Sequence, residues 1–276
     1  MLDENLIAKM NSTCRDPIHM LEDGAYKVWT LPAPDRTYVA GVDVSEGVGA
    51  AASCIQILDI TELSNIEQVA TYHSTTISPY EFTSKLNSIL KHWGQPIALI
   101  ERNNCGAQVV DMLKNNYYYP NLVTYTGNVK TKSRIGVLAH TNTKYRGVMN
   151  MRYWVNETKN VSIRDKDLVQ ELKTFVRHTN GTWGHIKSDG VHDDRVMSIL
   201  WALFILSEDL VTSYFDAKLG ANNKPIAIPQ PSFASGEFVD MGLDDSNDMD
   251  VVPAMFGDLS IDGMEKNKDI PAGVQG

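Results

Sequence analysis

The chain has 276 residues, 43% of them hydrophobic and 21% charged, with a formal net charge of −9. That is enough apolar material for one substantial core with flanking segments, and no apolar run reaches membrane-spanning length, the best candidate being Val196 to Leu206. Cys14, Cys54 and Cys105 are odd in number and widely spaced, which excludes a disulfide framework or a zinc pattern; with no signal-peptide core at the N-terminus, a soluble intracellular protein is expected.

Residues 1–36 read as an N-terminal arm or linker, with a weakly amphipathic helical pattern from Leu2 to Met10 and then irregular chain around Asp16-Pro17 and Leu31-Pro32-Ala33-Pro34. Strand signals follow over 37–44, over 51–60 and over roughly 67–76, and predict three adjacent, antiparallel strands. Ser78-Pro79 opens a helix with Phe82, Leu86, Ile89 and Leu90 on one face. The apolar run from Pro96 to Ile100 suits a strand buried on both faces. A helix through Val109, Val110 and Leu113 comes next, then a fifth strand at Leu122 to Tyr125, a polar loop from Thr126 to Arg134, and a helix from about Thr143 to Glu157.

Asp165 or Asp167 caps a further helix with Leu168, Leu172, Phe175 and Val176 on one face, and Gly181 to Ile186 reads as a β-ribbon. The last regular element, from about His192 to Leu210, is apolar enough to pack hard on the sheet. The domain is therefore expected over 37–215, and 216–276 as an acidic, mostly disordered tail. Its clusters Val251 to Phe256 and Leu259 to Ile261 are either docking points for a partner or part of an inert solubilising segment.

The average charge hides its distribution. Residues 221–276 hold ten acids and three bases, whereas no Asp or Glu occurs from Met112 through Asn156. Lys130, Lys132, Arg134, Lys144 and Arg146 fall in that acid-free stretch, interleaved with tyrosines such as Tyr125 and Tyr145. Such a segment either holds a phosphate backbone or forms a solvated basic face.

Three acids stand at element ends. Asp43 closes the first core strand between Val42 and Val44, Glu101 follows the strand ending at Ile100, and Asp193-Asp194 lies at the start of the last helix. Each alone has a plain reading as a turn or helix cap. Together, on strands that can be neighbours, they would converge at the carboxyl ends of the sheet. Clustered carboxylates raise one another's pKa unless cations neutralise them, and hard oxygen ligands suit one or two magnesium or manganese ions. Metal-assisted phosphodiester hydrolysis follows from that set. Three neighbours have simpler readings: His192 as a capping or orienting histidine, His185 as part of a surface turn, and Cys105 as packing.

The motifs YVAGVDVSEG, IALIERNNCG and GVHDDRVMSILWAL, in that order and at those spacings, resemble the nuclease domain of the large terminase subunit of T-even-type tailed bacteriophages. The resemblance covers about residues 37–210. It implies a ribonuclease H-like fold, a mixed five-stranded sheet flanked by helices, and an endonuclease that cuts concatemeric double-stranded DNA during genome packaging in the cytoplasm of the infected host. Carried over residue by residue, it implies Asp43, Glu101 and Asp194 as catalytic, metal-binding acids, with Asp193 as a supporting neighbour. It makes the loop Lys130-Thr131-Lys132-Ser133-Arg134 a DNA-contacting element, and the portal and the small terminase subunit partners. Two departures stand out. Relatives often carry a further Asp eight residues after the first acid, where this chain has Ala51, and no G-x-x-x-x-G-K-[ST] phosphate loop occurs, so the packaging ATPase is not expected here. A Holliday-junction resolvase or transposase-like nuclease of the same fold is the alternative within the class. A non-catalytic module docking DNA or portal is the alternative outside it.

Overall fold

In the computed structural model of the chain, described over residues 4–49, 51–125, 134–188 and 190–207, the strand ending at Asp43 lies inside a mixed sheet, one strand in from its edge. The chain divides into two units, Met1–Ser232 and Phe233–Gly276, and every described residue belongs to the first. In order the elements are α1 (Glu4–Thr13), β1 (His19–Leu21), β2 (Tyr26–Val28), β3 (Tyr38–Asp43), β4 (Ser53–Asp59), β5 (Ile66–Ser74), α2 (Pro79–His92), β6 (Ile97–Ile100) and α3 (Gly106–Asn115). There follow β7 (Thr124–Tyr125), β8 (Arg134–Ile135), α4 (Thr141–Arg152), β9 (Val161–Ser162), α5 (Lys166–Thr174), β10 (Phe175–Arg177), β11 (Trp183–His185) and α6 (Asp194–Phe204).

The strand order is β1-β2-β5-β4-β3-β6, with β9 also pairing β5. As expected, β3, β4 and β5 are antiparallel neighbours, and β6 joins β3 in parallel. The expected five-stranded sheet is corrected to seven strands among the described residues. Part of the supposed arm, 19–28, supplies β1 and β2, and Tyr26 and Val28 are buried against the sheet. Strands of three residues are too short to show alternation in sequence, which is why they read as linker. The expected fifth strand, by contrast, meets β6 only through a bridge between Ala98 and Leu122; its residues Thr124 and Tyr125 pair with β8. Phe175 and Val176, expected on a helix, leave α5 and pair with β11 as a ribbon, in keeping with the strand preference of aromatic and β-branched residues.

Side-chain alternation along the strands builds two cores. Ala40, Val42, Ile55 and Ile57 face α2 and α3, while Val39, Leu58 and Leu99 face α4, α5 and α6. Parity then decides where the acids go: Asp43 shares a face with Val39, and Glu101 shares it with Leu99, so both project on the α6 side. Helix α2 starts as expected, with Pro79 at its first position and a capping box between Ser78 and Glu81.

Two glycines allow the helices to sit as close as they do. A Cβ on Gly41 would lie 2.0 Å from the Ser198 carbonyl oxygen and 2.2 Å from the Ala202 nitrogen, so α6 rests directly on the β3 backbone. A Cβ on Gly147 of α4 would meet Leu200 Cδ2 at 2.3 Å. Helix α6 is thereby held between β3 and α4, with its N-terminus over the end of β3. No described helix is long and apolar enough to cross a membrane.

Candidate active site

Parallel pairing sets the first two acids side by side. Val42 is the register partner of Ile100, and the Glu101 N–H donates to the Val42 carbonyl at 2.9 Å. The next step along both strands is Asp43 on one and Glu101 on the other. Asp194, the first residue of α6, brings the third carboxylate; only 7% of its surface is exposed, and its Oδ2 accepts from the Ala52 N–H of the segment leading into β4 at 3.0 Å. Asp193, just ahead of the helix, turns Oδ1 to His185 Nδ1 at 3.0 Å and has Lys144 Nζ at 3.8 Å from Oδ2.

The electrostatics are those of a shared site. Asp43 is pushed well above the usual carboxylate range, first by burial and then by Glu101, Asp194 and Asp193, with Lys144 pulling the other way. Burial raises Glu101, opposed by the Trp201 hydrogen bond and Lys144. Burial also raises Asp194, opposed by the Ala52 N–H and His192. Anionic oxygens that repel one another in a partly desolvated place are what a hard divalent cation neutralises. Among the described residues, however, no three His, Cys, Asp or Glu side chains form a ready-made cage. Among the described residues the acids share a field, with Lys144 beside them, without a closed coordination shell.

Several groups hold the acids in place. Trp201 lies seven residues after Asp194, two turns on along the same helix face, and its Nε1 donates to Glu101 Oε2 at 2.8 Å. Asn103, two residues after Glu101, exchanges bonds with Ala139: its Oδ1 accepts from the Ala139 N–H at 2.8 Å, and its Nδ2 donates to the Ala139 carbonyl at 3.3 Å. His140 then caps α4, accepting from the Thr143 N–H at Nδ1, and α4 carries Lys144 to the acids. Trp201 and the Ala52 N–H escaped the sequence reading. The seven-residue spacing within the last helix was the available signal for the first, and a backbone donor leaves none.

Of the five basic residues expected to meet DNA, Lys130 and Lys132 lie outside the described residues. Arg134 is exposed at the start of β8, close to the sheet edge where Val137 bridges to Glu101. Lys144 stands among the acids rather than on a separate surface. Arg146 is engaged inside the fold: its guanidinium donates to the Tyr125 hydroxyl at 2.5 Å and lies over the Tyr125 and Phe204 rings. His185, read as part of a surface turn, holds Asp193. Cys105 is half-buried, with its Sγ 3.9 Å from the Val44 carbonyl oxygen and its thiol raised by burial. The expected tail, 216–276, falls outside the described residues.

Known proteins share this arrangement of elements. The family model described as "Terminase RNaseH-like domain" matches residues 40–206. The large terminase nuclease from the thermophilic phage G20c, with bound magnesium, aligns at a TM-score of 0.55 and 16% identity over 72% of this chain and 96% of its own. Its cobalt-bound form aligns at 0.55 and 17% identity, over the same shares. The large terminase nuclease domain of Thermus phage P74-26 gives 0.51 and 18% identity, over 71% of this chain and 93% of its own. At such identities the structural likeness is one of fold.

Proposed function

Since the chain belongs to the terminase ribonuclease H-like domain family, we propose that it is a divalent-metal-dependent endodeoxyribonuclease, the nuclease part of a T-even-type large terminase, acting on concatemeric double-stranded DNA. The observation that carries this reading is the convergence of Asp43, Glu101 and Asp194 from the ends of β3 and β6 and the start of α6, each raised in pKa first by burial and further by acidic neighbours. The motifs YVAGVDVSEG and GVHDDRVMSILWAL in combination are the ground for the T-even attribution.

Asp43, Glu101 and Asp194 are the residues that would hold magnesium or manganese, with Asp193 beside them. When bound there, such an ion supplies Lewis acidity at a phosphodiester oxygen and lowers the pKa of a water. The protein's own contribution is orientation. Trp201 fixes the rotation of the Glu101 carboxylate, and the Ala52 N–H fixes that of Asp194. Lys144, beside Asp193, offers a cation to an incoming phosphate. Arg134 and the flanking Lys130 and Lys132 are proposed to track the DNA backbone. The portal and the small terminase subunit are proposed partners, and the host cytoplasm the place of action. The boundaries proposed for the nuclease domain are residues 37–215, with β1 and β2 added to its sheet.

The deciding experiment is plasmid cleavage with magnesium, with manganese and with a chelator. Nicking or linearisation that needs the metal, and that is absent in the Asp43→Asn variant, supports the nuclease. DNA binding without cleavage under all these conditions would favour the docking module.

A further inference from the structure

The leading N–H groups of a helix need acceptors, and an aspartate just ahead of the helix ordinarily supplies one, to the second or third residue. Helix α6 begins with two aspartates, and neither does this. Asp193, at the N-cap position, has φ −128° and ψ 18° and makes no side-chain bond to the turn; its carboxylate is engaged by His185. Asp194 reaches across to the Ala52 N–H.

The acceptor comes from another helix. Glu171 Oε2 accepts from the N–H groups of Arg195 and Val196, the second and third residues of α6, at 2.8 and 3.3 Å. Its other oxygen, Oε1, holds Arg195 Nη1 at 2.6 Å. The Glu171 side chain is only 12% exposed, so water is a poor substitute for it.

Glu171 is itself well anchored. Helix α5 is capped by Asp165, which accepts from the Asp167 N–H. On β5, Gln68 Oε1 accepts from the N–H groups of Arg164 and Asp165 at 2.7 and 2.9 Å, while its Nε2 donates to Gln56 of β4 at 2.7 Å. A continuous set of hydrogen bonds thus ties the first turn of α6 to the sheet that carries Asp43.

We propose that Glu171 is a positioning residue of the acid cluster: by capping α6 from outside, it releases Asp193 and Asp194 from capping and fixes the turn that aims them at the site. The inference deepens the nuclease reading and rests on it. Without Glu171, the carboxylate at the N-cap position, where an aspartate ordinarily caps, is that of Asp193. A rotation of that side chain into the capping position would take it from His185 and Lys144 and shift its neighbour Asp194.

Geometry and charge are separated by two substitutions. Glu171→Gln keeps an oxygen at the same reach but loses the charge, and Arg195 retains Asp165 and Asp167 at 3.6 and 3.7 Å. Glu171→Asp keeps the charge but is one methylene too short to cap. Two quantities are measured for each variant in the full chain: the rise in melting temperature on adding manganese, and kcat and KM for plasmid cleavage. The Gln variant is expected to retain most of the parent's manganese-induced rise and kcat. The Asp variant is expected to lose most of that rise and to lose kcat on the order of 10- to 100-fold, with KM for DNA little changed. Any other order, including equal loss in both or equal retention in both, overturns the proposal. A parent chain with neither a manganese response nor cleavage overturns the nuclease reading instead, so the two failures are distinguishable.

Discussion

Trp201 Nε1 donates to Glu101 Oε2 at 2.8 Å, joining the middle of α6 to the residue just past β6. The indole ring is fully buried, so its single polar atom has one partner and one direction, and the carboxylate is held against the helix that also carries Asp194. Trp201→Phe removes the donor while keeping most of the ring. The hydrogen bond to an ionised group and the lost ring volume together are expected to cost about 2 to 4 kcal/mol of stability. Urea unfolding would read that loss, and cleavage by the folded fraction should fall as Glu101 gains rotational freedom. A variant with parental kcat would remove Trp201 from the orienting shell.

The acid cluster makes a prediction of opposite sign for stability. Asp43 has a pKa raised well above the ordinary carboxylate range by burial and by its acidic neighbours, so its ionised form opposes folding at neutral pH when no cation is bound. Asp43→Asn should therefore melt no lower than the parent in chelator, show little metal-induced rise, and cleave no DNA. A structural cap would instead lose about 0.5 to 2 kcal/mol regardless of metal.

Much of this arrangement is legible from strand ends and helix starts. Val39 to Val42 is a continuous buried run whose parity fixes the face of Asp43, and the short apolar run at Ile97 to Ile100 does the same for Glu101. What was hidden depends on contacts distant in sequence. Ala52 contributes through its backbone, and Glu171 reads as an ordinary helix acid until α5 is placed beside α6. The partner of Arg146 was hidden for the same reason: Tyr125, whose hydroxyl it engages, lies 21 residues away. Strands β1, β2 and β9 are three residues or fewer and owe their conformation to the edge they pair with, which no local pattern encodes.

Gly41 tests how closely the site depends on packing. With Ser198 and Ala202 backbone atoms 2.0 to 2.2 Å from the place of a Cβ, neither partner can yield by rotating a side chain. Gly41→Ala should push α6 away from β3 and cost about 3 kcal/mol or more, at or beyond the upper end of ordinary overpacking. Because α6 carries Asp194, the folded fraction should also lose metal-induced stabilisation. A melting temperature within a degree or so of the parent's, about the resolution of a shift worth a few tenths of a kcal/mol, would show that the helix has more room than its backbone contacts indicate.

His73, on β5, carries the clearest pH dependence outside the acid cluster. Its pKa is lowered from 6.5 to about 4, mainly by burial and next by Arg195, with Lys27 and His192 adding to the effect and Asp167 opposing it. The unfolded chain therefore binds this proton more readily than the native one. The neutral imidazole's contribution to stability is fully present above pH 6.5 and is lost as the pH falls toward 4, at up to about 1.4 kcal/mol per pH unit for one whole proton. The raised carboxyl groups act in the opposite sense: Glu171, lifted to about 7 by burial against the pull of Arg195, binds its proton more readily in the native state. The diagnostic is accordingly a difference. His73→Gln cannot titrate, so its stability relative to the parent should improve steadily between pH 6.5 and pH 4, measured by urea unfolding at several pH values. A constant gap between the two proteins across that range would mean that His73 protonates as easily in the fold as in the open chain, and that its burial beside Arg195 has no linkage to stability.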